Sequence, residues 1–143
     1  MVRYWLSAHT VDTWRGFLES GTQDAGWSEK KGKRVKQIQP GDRLIFYIVG
    51  EKVFAGYAQV TEGHHYDPSL RFAGDRYPHR VTFDNLKVLD KQDWVSMDPF
   101  KKELNFYNYH KGIYSSFIWR SPSEFDQHDA GILIGKIDEA AVK

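Results

Sequence analysis

The sequence predicts an α+β fold, a strand-rich sheet with peripheral helices, on three observations. A Pro40-Gly41-Asp42 turn launches the unbroken apolar run Leu44 to Val49, which has the length of a buried strand rather than of a helix. Gly50 and Glu51 separate that run from the strand-like "VFAGYAQVTE", so the pair reads as a hairpin. Ahead of it, "TVDTWRGFLESG" places Val11, Trp14, Phe17 and Leu18 near one face of a short helix. With 143 residues, 41% of them hydrophobic, the chain is long enough to bury a core, and one domain spanning 1–143 is expected.

Taken in order, "VRYWLSA" alternates bulky and small residues and predicts the first strand. The helix after it has Thr10 or Asp12 as its cap and Gly21 as its stop. Trp27 and the basic run that follows it read as a loop. In the return strand, Gly56 marks a place where a side chain would crowd a neighbour or a ligand. "GHHYDPSLRFAGDRYP" reads as a polar loop, and "HRVTFDNLKVL" as another strand. Asp98-Pro99 predicts a short helix with proline at its first position. "HKGIYSSFIWR" reads as a loop running into an extended segment, and "SPSEFDQHDAGIL" as a capped helix start with Pro122 in its first turn and Glu124 close by.

Composition narrows the function classes. Twenty Lys and Arg against nineteen Asp and Glu leave a net charge of +1, which excludes a uniformly basic coat but not a local patch. There is no cysteine, so disulfides, thiolate metal sites and thiol catalysis are excluded. The first residues lack an apolar signal core, and no stretch approaches the roughly 18 apolar residues of a membrane span. A cytoplasmic protein with no membrane partner is expected. Aromatic residues make up 15% of the chain, and they must serve either a core or a recognition surface.

The polar clusters give little support to catalysis or metal binding. His64, His65 and Asp67 are metal-ligand types, yet adjacent histidines on a strand point to opposite faces, and no third ligand stands at a recognisable spacing. Ser7 and His9 lack the strained elbow of an activated nucleophile. No glycine pattern that cradles phosphate is present, and no cofactor or metal is implied. The basic run carries more. Lys30, Lys31, Lys33, Arg34 and Lys36 fall within seven positions. Alone they read as a solvated face; beside an aromatic residue they read as phosphate contacts next to a base-stacking surface. Trp27, between Gly26 and Ser28, reads equally well as a core plug or as a pocket wall.

Four stretches taken in order resemble the EVE domain: "YWLSAH", the block "GWSEKKGKRVKQIQPGDRLIFYIVGEKVFAGYAQV", "RFAGDRYPHRVTF" and "FIWRSPSEFD". This is a small PUA-like family related to the YTH readers of methylated RNA. The resemblance implies a strongly bent mixed β-sheet closing into a partial β-barrel, with helices packed around it. It also implies a pocket that receives a nucleobase, often a modified one, extruded from single-stranded or distorted RNA or DNA. By that resemblance Trp27 forms one aromatic wall with Ser28 beside it. Ser7, Ala8 and His9 lie at the pocket floor, and Phe72 stands as a second wall where related sequences often carry tryptophan. Phe117, Arg120 and Ser121 fall in the segment that closes the pocket.

The expectation is therefore a non-catalytic module that binds nucleic acid and reads a methylated base. Two other readings stay open. One is an enzyme acting on a nucleotide or small anion through His9 or the His64–Asp67 segment. The other is a protein-interaction domain whose aromatic residues are all core.

Overall fold

A computed structural model of the chain describes residues 2–70 and 77–142. Its strands are β1 (Tyr4–His9), β2 (Asp24–Trp27), β3 (Arg43–Ile48), β4 (Val53–Tyr66), β5 (His79–Val88), β6 (Val95–Ser96) and β7 (Ser123–Phe125). They form one sheet in the order β2-β5-β4-β3-β1-β7, with β6 added against β4. β1 and β3 run parallel, and the remaining pairs are antiparallel. The pairing of β4 with β5 slips between Tyr57 and Ala58, between Val60 and Glu62, and between Glu62 and His65. Each slip bends the strand and adds twist. The long β4 therefore cannot stay flat, and the sheet curls into a half-barrel, as the PUA-like α+β class requires.

Both faces of the sheet are covered. Trp5, Leu44, Phe46 and Ile48 face one core with Trp14, Phe17, Val81 and Phe83. Leu6, Ile45 and Tyr47 face the other with Phe106, Phe117, Phe125, Leu133 and Ile137. A strand packed on both sides loses the alternation of apolar and polar residues, which accounts for the continuous run beginning at Leu44. α1 (Val11–Ser20) supplies Trp14 and Phe17 to the first core. The Thr10 hydroxyl caps α1 by accepting from the Thr13 amide at 3.1 Å, and Gly21 ends it at φ 68°. α5 (Gln127–Ala141) covers the second core, capped by Asp126. At the base of β3, the buried Asp42 carboxylate accepts from the Arg3 amide at 3.1 Å, the Trp5 indole at 3.0 Å and the Gln39 amide at 2.9 Å. The Pro-Gly-Asp turn is thus tied to β1. Among the described residues, no helix is long and apolar enough to cross a membrane.

Several local expectations are corrected. Trp27 is not on a loop: it ends β2, opposite His79 of β5. The basic run is helical, a 3-10 turn over Glu29–Lys31 and α2 over Gly32–Val35. It is helical because Val35 and Ile38 must reach the core together. β4 extends through His64, His65 and Tyr66, which had read as loop. The chain turns at Asp98 and forms only a 3-10 turn over Lys101–Glu103, so no α-helix starts there. α3 spans Asn105–Tyr109 instead, because the buried Asp129 carboxylate accepts from the amides of Asn105 at 2.7 Å and Phe106 at 2.9 Å and fixes the start there. The segment expected to be extended contains α4 (Ser115–Trp119), with Phe117 and Ile118 turned inward. Pro122 begins no helix, since the residues after it form β7 against β1, and the helix waits for its Asp126 cap.

Gly56 crowds a neighbouring strand. A Cβ there would lie 2.2 Å from the Lys87 carbonyl oxygen, at φ 154°. Neither backbone can yield without breaking the β4–β5 ladder. Gly56→Ala is expected to cost more than the usual overpacking penalty of about 1–3 kcal/mol, read as a lower urea midpoint. A change below about 1 kcal/mol would show that the two strands do not pack this closely.

Candidate functional site

β7 pairs with β1 only at Tyr4, Trp5 and Leu6, so that edge of β1 runs out of strand partner halfway along. Ser121 takes over as a side chain. Its hydroxyl donates to the Leu6 carbonyl at 3.0 Å and accepts from the Ala8 amide at 3.2 Å. The same oxygen accepts from the Trp27 indole N–H at 3.1 Å. Trp27 ends β2, at the opposite end of the sheet from β7. One buried hydroxyl therefore joins the two ends of the curled sheet. It also holds the tip of the indole.

A cavity of about 560 Å³ opens beside this junction, within the range of small-ligand sites. It lies at the carboxyl ends of the parallel pair β1 and β3, where ligand crevices commonly form in sheets with parallel strands. The end of β1 and start of α1 contribute Ala8, His9, Thr10 and Thr13. The end of β2 and the turn after it contribute Gly26, Trp27, Ser28 and Lys31. The β3–β4 hairpin gives Tyr47, Val49, Gly50 and Lys52. Tyr77 and the segment around α4, with Tyr114, Ile118 and Trp119, complete the wall. Ala8 donates its amide to Ser121, so its carbonyl lies along the same edge of β1, past the end of β7.

The charged lining residues are Lys31 and Lys52, and no carboxylate joins them among the described residues. The Lys31 ammonium donates to the Trp119 carbonyl. Burial and the neighbouring Arg34 charge both pull its pKa below the usual lysine range. Arg34 donates to the Arg120 carbonyl at 2.7 Å. These two cations thus clamp the backbone at the end of α4. Burial, and contact with Tyr114, push the Tyr47 phenol well above its ordinary pKa, so it stays neutral. The His9 ring shares a hydrogen bond with the Ser7 hydroxyl at 3.0 Å and packs edge-on to Trp14 at 5.3 Å.

The structure gathers Ala8, His9, Trp27, Ser28, Lys31 and Ser121 around one cavity. Other expected pocket residues lie elsewhere. Ser7 is buried behind His9 and does not line the cavity. Phe117 belongs to the second core, stacked on Phe106 at 4.8 Å, because α4 turns it inward. Arg120 is exposed and engages Arg34 through its main chain. Phe72 lies outside the described residues. Lys30, Lys33 and Lys36 are exposed beyond the cavity wall. Tyr47, Lys52, Tyr114, Ile118 and Trp119 were not foreseen. For Tyr114 and Ile118 the signal is the i, i+3, i+4 spacing they share with Phe117, which marks a helix face. His64 and His65 point apart, His64 to His79 at 2.8 Å and His65 to Asp24 at 3.8 Å. Among the described residues no three such side chains cluster as metal ligands.

Solved YTH domains share this architecture. The Mmi1 YTH domain matches with a TM-score of 0.70 over 98% of both chains, at 16% identity. The YTH domain of Zygosaccharomyces rouxii MRB1, solved in complex with N6-methyladenosine RNA, matches at 0.68 over 95% of this chain and 84% of that one, at 14% identity. A solution structure from Rhodopseudomonas palustris matches at 0.62 over 96% and 94%, at 18% identity. The fold is therefore that of the YTH domains and their PUA-like relatives. Within that class the chain belongs to the EVE domain family, whose profile matches residues 3–123. A UPF0310 protein of Pyrococcus abyssi is 24% identical over 138 residues, covering 88% of this chain and 93% of its own.

Ser121→Ala removes the oxygen shared by Trp27, Ala8 and Leu6. Two of these bonds, to the Trp27 indole and the Leu6 carbonyl, are fully buried, and each group orphaned there costs about 1–3 kcal/mol, so the variant is expected to lose about 2–6 kcal/mol in chemical unfolding. It is also expected to alter near-UV tryptophan dichroism in the folded state. Wild-type stability and an unchanged spectrum would mean that the hydroxyl does not hold the indole.

Proposed function

We propose that the chain is a nucleic-acid-binding module whose cavity receives a single base extruded from its strand, and that residues 1–143 act as one such module. The observation that carries this reading is the Trp27 indole. It lines an apolar cavity with its polar tip already satisfied by Ser121, and lysine rather than carboxylate stands among the lining residues. That arrangement suits a flat, neutral ring attached to an anionic backbone. Stacking on an aromatic wall contributes about 1–3 kcal/mol per base. Among the lining residues, the Ala8 carbonyl and the Ser28 hydroxyl are the groups assigned to the edge of the base. The relationship to YTH domains, one of them solved with N6-methyladenosine RNA, favours a methylated base as the ligand. Each methyl buried in such a cavity adds about 0.8 kcal/mol.

Lys31 and Arg34 hold the end of α4, which leaves Lys30, Lys33 and Lys36 as the cations of the run exposed for phosphates. Extruding a base from a duplex costs a few kcal/mol, so a single strand is the favoured substrate.

Tryptophan fluorescence is expected to be quenched on titration with nucleosides. N6-methyladenosine should bind about fourfold or more tighter than adenosine, the ratio one buried methyl provides. Trp27→Ala is a poor test, because truncating a buried tryptophan costs about 3–5 kcal/mol of stability. Trp27→Phe keeps a smaller ring and is expected to weaken binding about tenfold or more. A folded protein that binds no nucleoside would sink the reading.

The backbone contact has its own signature. Replacing Lys30, Lys33 and Lys36 together with glutamine should flatten the log-affinity versus log-salt slope for a single-stranded oligonucleotide. The expected change is about two units, at about 0.7 per phosphate contact. An unaltered slope would remove these lysines from the interface.

A further inference from the structure

We infer that Trp119 is a stacking platform for the nucleotide adjacent to the one held in the cavity, which makes the site at least a dinucleotide site. The inference rests on the base-binding reading above and goes beyond it. Trp119 is 80% exposed, whereas Trp5, Trp14 and Trp27 are 2%, 1% and 6% exposed. An indole left in water at the end of a five-residue helix does no work for the core, which α4 already serves through Phe117. Yet the same residue lines the cavity shared with Trp27. Exposure on that scale puts it at the mouth rather than inside. A ring there meets what leaves the cavity, which for an extruded base is the next nucleotide of the strand.

Two further observations select a nucleotide as the occupant. The main chain beneath the ring is held at two successive carbonyls, Trp119 by Lys31 and Arg120 by Arg34. A platform fixed before binding loses less conformational entropy when a base settles on it. Carbonyls accept from these cations but do not neutralise them, so positive charge stands against the main chain that carries the indole, with the exposed Arg120 next to it in sequence. An apolar face close to cations favours a stacked base with its phosphate over a greasy protein patch.

The test compares RNA trinucleotides carrying a central N6-methyladenosine, with flanking bases either present or replaced by abasic residues. The abasic strand keeps every phosphate and loses only the stacking rings. For the wild type, the fully based strand is expected to bind about 5- to 150-fold tighter, the range spanned by single stacking aromatics. In Trp119→Ala that ratio should collapse toward one, and Trp119→Phe should retain part of it. The ring is exposed, so both variants are expected to fold. A wild-type ratio near one overturns the inference, and so does a ratio that survives in Trp119→Ala. Equal loss of N6-methyladenosine nucleoside and of both strands in Trp119→Ala would make the residue a wall of the base slot instead. Concentration-dependent dimers in sedimentation, abolished by Trp119→Ala with the ratio intact, would assign the face to self-association. If neither the nucleoside nor any strand binds the wild type, the base-binding reading itself falls, and this inference falls with it.

Discussion

The architecture depends on how its curled sheet is closed. A half-barrel has two terminal strands, and here they are short, four residues in β2 and three in β7. Their ladders span four paired positions against β5 and three against β1. The Ser121 hydroxyl supplies the missing link. It continues the β7 side of β1 with two hydrogen bonds and takes the Trp27 indole from the far end of the sheet with a third. Closure and site are consequently one structure: the bond that joins the sheet ends also aims the aromatic wall. Substitutions at this junction should couple stability to the shape of the cavity, unlike those at the opposite base of the sheet, where Asp42 secures β1 and β3 away from the cavity.

The basic run shows how a sequence feature can carry two roles at once. Five cations in seven positions read as a single electrostatic patch. In the fold, helical geometry divides them. Lys31 and Arg34, three residues apart, lie on one side of the turn and bind consecutive carbonyls. Lys30, Lys33 and Lys36 follow the same three-residue spacing on the exposed side. An i, i+3 pattern was therefore present in the spacing itself. It could be interpreted only once the run was known to be helical, and its helicity is set by Val35 and Ile38 reaching the core.

This division explains what was legible in the sequence. The central hairpin, α1 with its Thr10 cap, and the crowded position at Gly56 follow from local rules: turn chemistry, capping and the absence of a side chain. Their interactions lie within a strand pair or a single helical turn. The last third was misread because its signals are distant. Asp129 starts α3 from 24 residues away, and Leu6 fixes β7 as a strand across more than a hundred positions. In the site, Trp27, Ser28, Ala8, His9 and Ser121 could be named from resemblance. Tyr47, Tyr114 and Trp119 could not, because whether an aromatic residue faces a core or a cavity depends on strand register for Tyr47 and on helix phase for the other two. Phe117 failed for the same reason in the opposite sense.

The walls of the cavity come from elements that are independently secured. Trp27 is held by Ser121, the end of α4 by Lys31 and Arg34, and the ring of His9 by Ser7 and Trp14. None of these contacts needs a ligand to form. On the base-binding reading, a slot fixed in advance would spend little on rearranging the protein, so most of the stacking free energy would be left for affinity. The same rigidity governs selectivity. A wall that cannot close around a smaller ring gains nothing from it, whereas a methyl group that fills the remaining apolar space adds contact without strain. On the proposed reading, discrimination between a plain and a methylated base would follow from fixed shape, and loosening the Ser121 junction would erode selectivity before it abolished binding.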